Sequence, residues 1–181
     1  SYGGALNTRS GGKAIVNGGT FIAYSQLTYA IINEGEETII NNAIVKGRHG
    51  AVAGAASNDN TKIYGGSFEL MENPGVSDHC TYHVSSIYGG QFTLGNNTDS
   101  GAQVFYESNI ADGYQAVLAA DGKTHVVLPS NNEYDIVITD PAQLDGEVLR
   151  DYDNILLQLS AGKHTIDLYM TASFDANLTI I

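Results

Sequence analysis

The chain has no tryptophan, one cysteine and three prolines in 181 residues, and only 8 Lys plus Arg against 20 Asp plus Glu. Each shortage excludes something. With Cys80 alone there is no intrachain disulfide and no zinc knuckle built from thiolates. A formal net charge of −12 disfavours nucleic acid as a partner, because its phosphates must be neutralised by Lys and Arg. An anionic membrane surface is disfavoured for the same reason. No apolar run approaches the ~18 residues of a spanning helix, so membrane insertion is not expected. The opening residues SYGGALNTRSGG lack the basic and apolar regions of a signal peptide. Charged residues make up 15% of the chain, well under the ~25% of an average soluble domain, which argues against a charged helical bundle.

Glycine, asparagine and tyrosine are plentiful instead, at 21, 15 and 11 residues. Their placement reveals a repeat. Four segments resemble one another: KAIVNGGTF (13–21), NAIVKGRHG (42–50), TKIYGGSF (61–68) and SSIYGGQF (85–92). Aligned on isoleucine, they place Ile15, Ile44, Ile63 and Ile87 at equivalent sites. The spacing is irregular, but its mean falls within the range of solenoid repeats. Each unit carries a short alternating strand signal, followed in three of the four by Gly-Gly, a polar residue and Phe. The Gly pair permits a bend or a positive φ where a side chain would collide with the neighbouring coil. Residues 1–110 contain no helical apolar stripe. A β unit of this length cannot bury its own face, and it therefore stacks as a solenoid. The expected fold is all-β, a right-handed parallel β-helix, with the four isoleucines stacked inside. Asparagines 17, 33, 41, 42, 58 and 60 fall at the expected bends, where Asn tolerates left-handed backbone.

The second half reads differently. GYQAVLAADGKTHVVL (113–128) forms two alternating runs about Asp121-Gly122, a hairpin signal. SNNE (130–133) is a polar connector, and YDIVIT (134–139) a strand. Asp140, Pro141 and Gln143 then predict one capped helix over 140–149, with Leu144, Val148 and Leu149 as its apolar stripe. Strand signals return in NILLQLSAGKHTIDLYM, with a break at Ala161-Gly162, and in ANLTII. The expected organisation is a β-helix with terminal hairpin over 1–128. A capping helix and the first coil of a second, incomplete unit then occupy 134–181. Between a repeat-like GGALN and a closing LTII, the chain is expected to be a piece of something longer.

The run GGQFTLGNNTDSGAQVFYESNIADGYQAVLAADGKTHVV (89–127) resembles the Gly-Gly-x-Phe β-helix repeat modules of secreted, gut-type bacterial surface proteins. The matching residues are Ile110, Ala111, Asp112, Gly113, Tyr114, Ala116, Val117, Asp121 and Gly122. Phage fibre β-helices are a looser match. The resemblance implies a right-handed parallel β-helix closed by a hairpin, exported, and embedded in a long multi-repeat polypeptide; the expected partners are further repeats of the same polypeptide or neighbouring chains. It implies no chemistry.

Because parallel β-helices include polysaccharide-cleaving enzymes, their signatures matter. Asn97-Thr98-Asp99 and Gly47-Arg48-His49-Gly50 occur in the reverse of the polygalacturonase order, without an Asp-Asp pair or Arg-Ile-Lys. A glycosidase needs two carboxylates flanking one bond, which scattered acids do not supply. A lyase base would have to be Arg9, Arg48 or Arg150, and none adjoins an acidic cluster on a coil face. SNDN (57–60) and RDYDN (150–154) offer oxygens in spacings that match no calcium loop. In Asp78-His79-Cys80-Thr81-Tyr82-His83, strand alternation points His79 and His83 away from Cys80, against a metal site. The remaining candidates are Tyr64 and Tyr88, at equivalent sites of adjacent repeats, which would stack into an aromatic strip able to contact sugars or a protein. The expected function is a non-catalytic structural or adhesive module, extracellular or on a virion exterior, with no cofactor and a glycan or surface protein as receptor. The rival expectation is a polysaccharide-active enzyme whose active site is degenerate or lies outside the chain.

Overall fold

The computed structural model describes residues 4–55, 60–72, 79–97, 101–131, 133–159 and 176–181. It is an all-β solenoid of four complete coils, each contributing one strand to each of three parallel sheets. The first sheet contains β1 (Leu6–Thr8), β4 (Ile31–Asn33), β7 (Val52–Gly54) and β10 (Thr81–Tyr82). The second contains β2 (Lys13–Val16), β5 (Glu37–Ile40), β8 (Thr61–Ile63) and β11 (Ser86–Ile87). The third contains β3 (Thr20–Ala23), β6 (Ile44–Gly47), β9 (Ser67–Leu70) and β12 (Gly90–Thr93). A fifth coil begins with parallel bridges from His79 to Gln103 and from Ile87 to Ile110.

Register explains the core. In the second sheet Val16, Ile40, Ile63, Ile87 and Ile110 stand one above another at nearly constant intervals along the chain. In the third, Phe21, Val45, Phe68 and Phe92 do the same. The first sheet stacks Leu6, Ile31, Val52 and Thr81 at uneven intervals, so the irregularity of the repeat is confined there. Two of the four expected core isoleucines are therefore corrected. Ile63 and Ile87 are fully buried, but Ile15 is 66% exposed, and Ile44 lies in the third sheet between Thr20 and Ser67. Strand alternation is the reason for Ile15. Aligning on it rather than on Gly18-Gly19 slips the first unit by one position, and one position exchanges the faces. Ile44 misleads because NAIVKG matches the wrong strand of its coil; Ile40 holds the equivalent place.

The Gly-Gly pair does what its placement requires. Gly66 has φ +121°, and a Cβ there would lie 2.5 Å from the Ala43 carbonyl oxygen. Only glycine satisfies both conditions. A polar ladder runs where the first two sheets meet inside: Asn33 Oδ1 accepts from the Thr8 hydroxyl (2.8 Å) and the Gly35 amide (3.1 Å), and Asn33 Nδ2 donates to Thr61 Oγ1 (3.0 Å). Asn33 and Thr61 are fully buried, so these bonds stand in for water that cannot reach them. Asn33 is thus an interior residue, whereas Asn17 and Asn41 sit at an outer corner joined by a 2.7 Å side-chain bond. Outside, Lys13–Glu36, Glu37–Lys62 and Lys46–Glu69 tie successive coils at 3.2, 3.2 and 2.6 Å.

The expected hairpin closes the solenoid. β13 (Tyr114–Leu118) and β14 (Thr124–Pro129) pair antiparallel, and β14 also pairs antiparallel with β12. At the turn, Asp121 Oδ1 accepts from the amides of Lys123 and Thr124, and Oδ2 from the Thr124 hydroxyl. β14 is a shared wall. Val127 faces the solenoid core, while Val126 and Leu128 pack with Ala119, Val137 and Leu156 beyond it.

Past the connector, β15 (Ile136–Ile138), β16 (Asn154–Leu157) and β17 (Asn177–Ile180) form a parallel sheet around Ile138, Leu144, Leu149, Ile155 and Leu157. The single helix expected over 140–149 is two pieces. Asp140 caps only a 3₁₀ turn, Pro141–Gln143, and Asp145 caps a separate helix α1 (Gly146–Asp151) by accepting from the Glu147 and Val148 amides. A second good N-cap inside the segment, followed by Gly146, restarts the helix rather than continuing it. The expected break at Ala161-Gly162 lies outside the described residues.

Candidate functional site

The corner after the second sheet holds the two tyrosines singled out by sequence. Tyr64 and Tyr88 follow the paired Ile63 and Ile87, so their rings fall into register one coil apart. Their centroids are 4.6 Å apart and their planes within 6° of parallel. Tyr114 meets Tyr88 edge-on at 5.5 Å. Tyr64 is 46% exposed. Asn17 and Asn41 occupy the same corner in the first two coils, so the corner changes from an amide ladder to an aromatic one along the solenoid. Face-to-face packing leaves the ring edges and phenol hydroxyls as the groups this corner presents.

The catalytic signatures do not converge. Gly47-Arg48-His49-Gly50 is a tight turn between β6 and β7, where a Cβ on Gly47 would overlap the Gly50 carbonyl oxygen. Arg48 Nε donates to the Glu72 carbonyl (3.2 Å), and His49 packs edge-on against Tyr29 at 4.8 Å. Asn97 is bound back to the Leu94 carbonyl through its backbone N–H (2.8 Å), and its neighbours Thr98 and Asp99 lie outside the described residues, as do Asp78 and residues 57–59. In RDYDN, Asp135 Oδ2 accepts from the Asp153 and Asn154 amides, and Arg150 pairs with Asp151 at 2.9 Å. Among the described residues no group of three or more His, Cys, Asp or Glu is arranged to hold a metal ion. Cys80 is fully buried, and burial pushes its thiol far up, so the thiolate is suppressed.

Sequence reasoning missed a larger aromatic gathering on the outer side of the first sheet. Tyr29 and Tyr82 stack at 6.3 Å with planes 20° apart. His79 lies 5.7 Å from Tyr82 and 4.7 Å from Tyr106. His83 meets the Tyr82 ring edge-on at 4.0 Å. The sequence presents histidines 79 and 83 only as potential metal ligands, and no spacing in the chain brings Tyr29, Tyr82 and Tyr106 to notice until the coils are stacked.

A cleft of about 420 Å³ lies between the fifth coil and the hairpin, lined by Leu94, Gln103, Phe105, Glu107, Leu118 and His125 among others. His125 Nδ1 is buried there without a hydrogen-bond partner among the described residues. Burial holds this imidazole below its ordinary pKa, against the raising effect of nearby Asp121.

Comparison with protein-family models, curated proteins and solved structures gives no significant match.

Proposed function

We propose that the chain is a non-catalytic structural or adhesive module of an exterior protein, either a cell-surface protein or a virion fibre. In this reading it continues into further repeats or abuts neighbouring chains, and it meets a glycan or surface-protein receptor. The supporting observation is the stacked pair Tyr64 and Tyr88, with Tyr64 half-exposed, set in register at a solenoid corner that begins as an amide ladder. A rod of stacked coils holds such a strip at a fixed height and spacing, which suits a contact surface better than a reaction centre.

Two measurements test the reading. Incubation with acidic and neutral polysaccharides should yield no new reducing or unsaturated ends; their appearance would establish the enzyme instead. On a glycan and surface-protein array, Tyr64→Ala with Tyr88→Ala should weaken any signal of the parent protein. An unchanged signal would remove this corner from the contact.

A further inference from the structure

We infer that the outer face of the first sheet carries a binding site for a neutral saccharide, with Tyr82 and Tyr106 as its stacking platform and His79 and His83 as partners for sugar hydroxyls. The inference rests on reading the chain as an exterior contact module, and it names a ligand class and a surface for it.

Three features of the backbone build this patch. Register places Tyr29, Gly50 and His79 at equivalent positions in three successive coils, each shortly before a paired strand residue (Ile31, Val52 and Thr81). Gly50 is the gap between two rings. A Cβ there would overlap the Tyr29 ring and lie 2.5 Å from the His79 carbonyl oxygen. Its absence lets Tyr29 lean across a whole coil and reach Tyr82. His83 is the one non-glycine residue with positive φ (49°) among those described. Its carbonyl oxygen takes the space that a side chain on Gly54 would fill. Left-handed backbone is uncommon outside glycine, though histidine adopts it more readily than most residues, and such positions concentrate at functional sites.

Chemistry selects the ligand. Every ring in the cluster carries a polar atom: the phenols of Tyr29, Tyr82 and Tyr106 and the imidazoles of His49, His79 and His83. Tyr106 at its edge is 38% exposed and lies tilted, 31° from His79 rather than flat against it. A sugar offers one apolar C–H face for an aromatic ring and a belt of hydroxyls that both donate and accept. A neutral imidazole also does both, through its two nitrogens. The net charge of −12 opposes carboxylated and sulfated chains, and hydroxyls facing uncharged phenols and imidazoles are what a neutral chain offers.

The test is calorimetric titration of the full chain with cellohexaose, mannohexaose, xylohexaose, chitohexaose and a galactan oligomer. At least one should bind, and its titration should shift the His79 and His83 imidazole resonances. Tyr82→Ala with Tyr106→Ala should weaken that binding at least tenfold, and Tyr106→Ala alone, at the exposed edge, should weaken it severalfold with unchanged melting. Tyr24→Ala, at a 70% exposed tyrosine outside the patch, should leave it within twofold. Binding to none of the five, or binding insensitive to Tyr106→Ala, overturns the site. Loss only in the Tyr64 and Tyr88 variant also overturns it while leaving the module reading intact, whereas new reducing ends would end that reading itself.

Discussion

The rings of Phe68 and Phe92 lie 4.8 Å apart with planes within 10° of parallel, although they belong to different coils. Both are fully buried. Phe105 meets Phe92 edge-on at 5.2 Å, so the stack is capped as well as continuous. Phe68→Ala therefore removes one ring from the middle of a packed column that cannot collapse to fill the gap. The expected loss is about 3–5 kcal/mol in chemical denaturation. Phe21→Ala, at the half-buried end of the same column, should cost clearly less.

Asn33 tests the polar ladder. Asn33→Ala strands the Gly35 amide and Thr61 Oγ1 in a site that water does not enter, while the Thr8 hydroxyl keeps its bonds to Thr38 Oγ1 and the Ile32 carbonyl. Unmade bonds of this kind cost about 1–3 kcal/mol. Asn41→Ala, which breaks one exposed side-chain bond to Asn17, should change stability by less than about 1 kcal/mol. Equal effects from the two would contradict the inside and outside assignments.

These assignments show how far the sequence was readable. The Gly-Gly-x-Phe phrase reports its own register, because Gly66 and Phe68 are constrained by the coil beside them. Asp121-Gly122 is legible for a similar reason: the Asp side chain and Gly122 (φ +69°) complete the turn locally. Ile15 misleads because isoleucine suits either face of a strand; only the register shows that Val16 points inward and Ile15 to solvent. The helix over 140–149 divides because Asp145 competes with Asp140 as a cap. The first-sheet aromatic patch was invisible because Gly50, which permits it, acts by an absence felt only across coils.

Acidification should destabilise the hairpin in two stages. His125 is held below its ordinary value of 6.5, mainly by burial, so the unfolded chain binds its proton first. Its contribution is present above about 6.5 and is lost as pH falls through the folded value. Burial alone would raise Asp121, but bonds from the Thr124 hydroxyl and amide and the Lys123 amide outweigh it and hold the carboxyl below 3.8. Its contribution is lost at lower pH, as the folded value is crossed. Melting temperature should fall first below pH 6.5 and again in the carboxylate range. His125→Gln should remove the first step, and a first step that persists in that variant would assign it elsewhere.

The shared wall has its own signature. Val126→Asp places a charge between the hairpin and the strands at Val137 and Leu156, where the parent buries all three apolar side chains. Limited proteolysis should then cut faster between Pro129 and Asp135 than in the parent. Leu118→Asp, on a side chain already 52% exposed, should leave the cleavage rate nearly unchanged.

Every site described depends on the register of the stacked coils, and oxidation of cysteine pairs reads that register directly. In a Cys80→Ala background, Asn17→Cys with Asn41→Cys places two thiols on adjacent coils where the amides already touch at 2.7 Å, within reach of a disulfide. Ile15→Cys with Ile44→Cys matches the alternative alignment, yet these residues belong to different sheets. Mild oxidation of the folded protein should link the 17/41 pair rapidly and leave the 15/44 pair as free thiols, by mass spectrometry under non-reducing conditions. Linkage of 15/44 with free thiols at 17/41 would contradict the register, and with it the inner ladders and both aromatic surfaces.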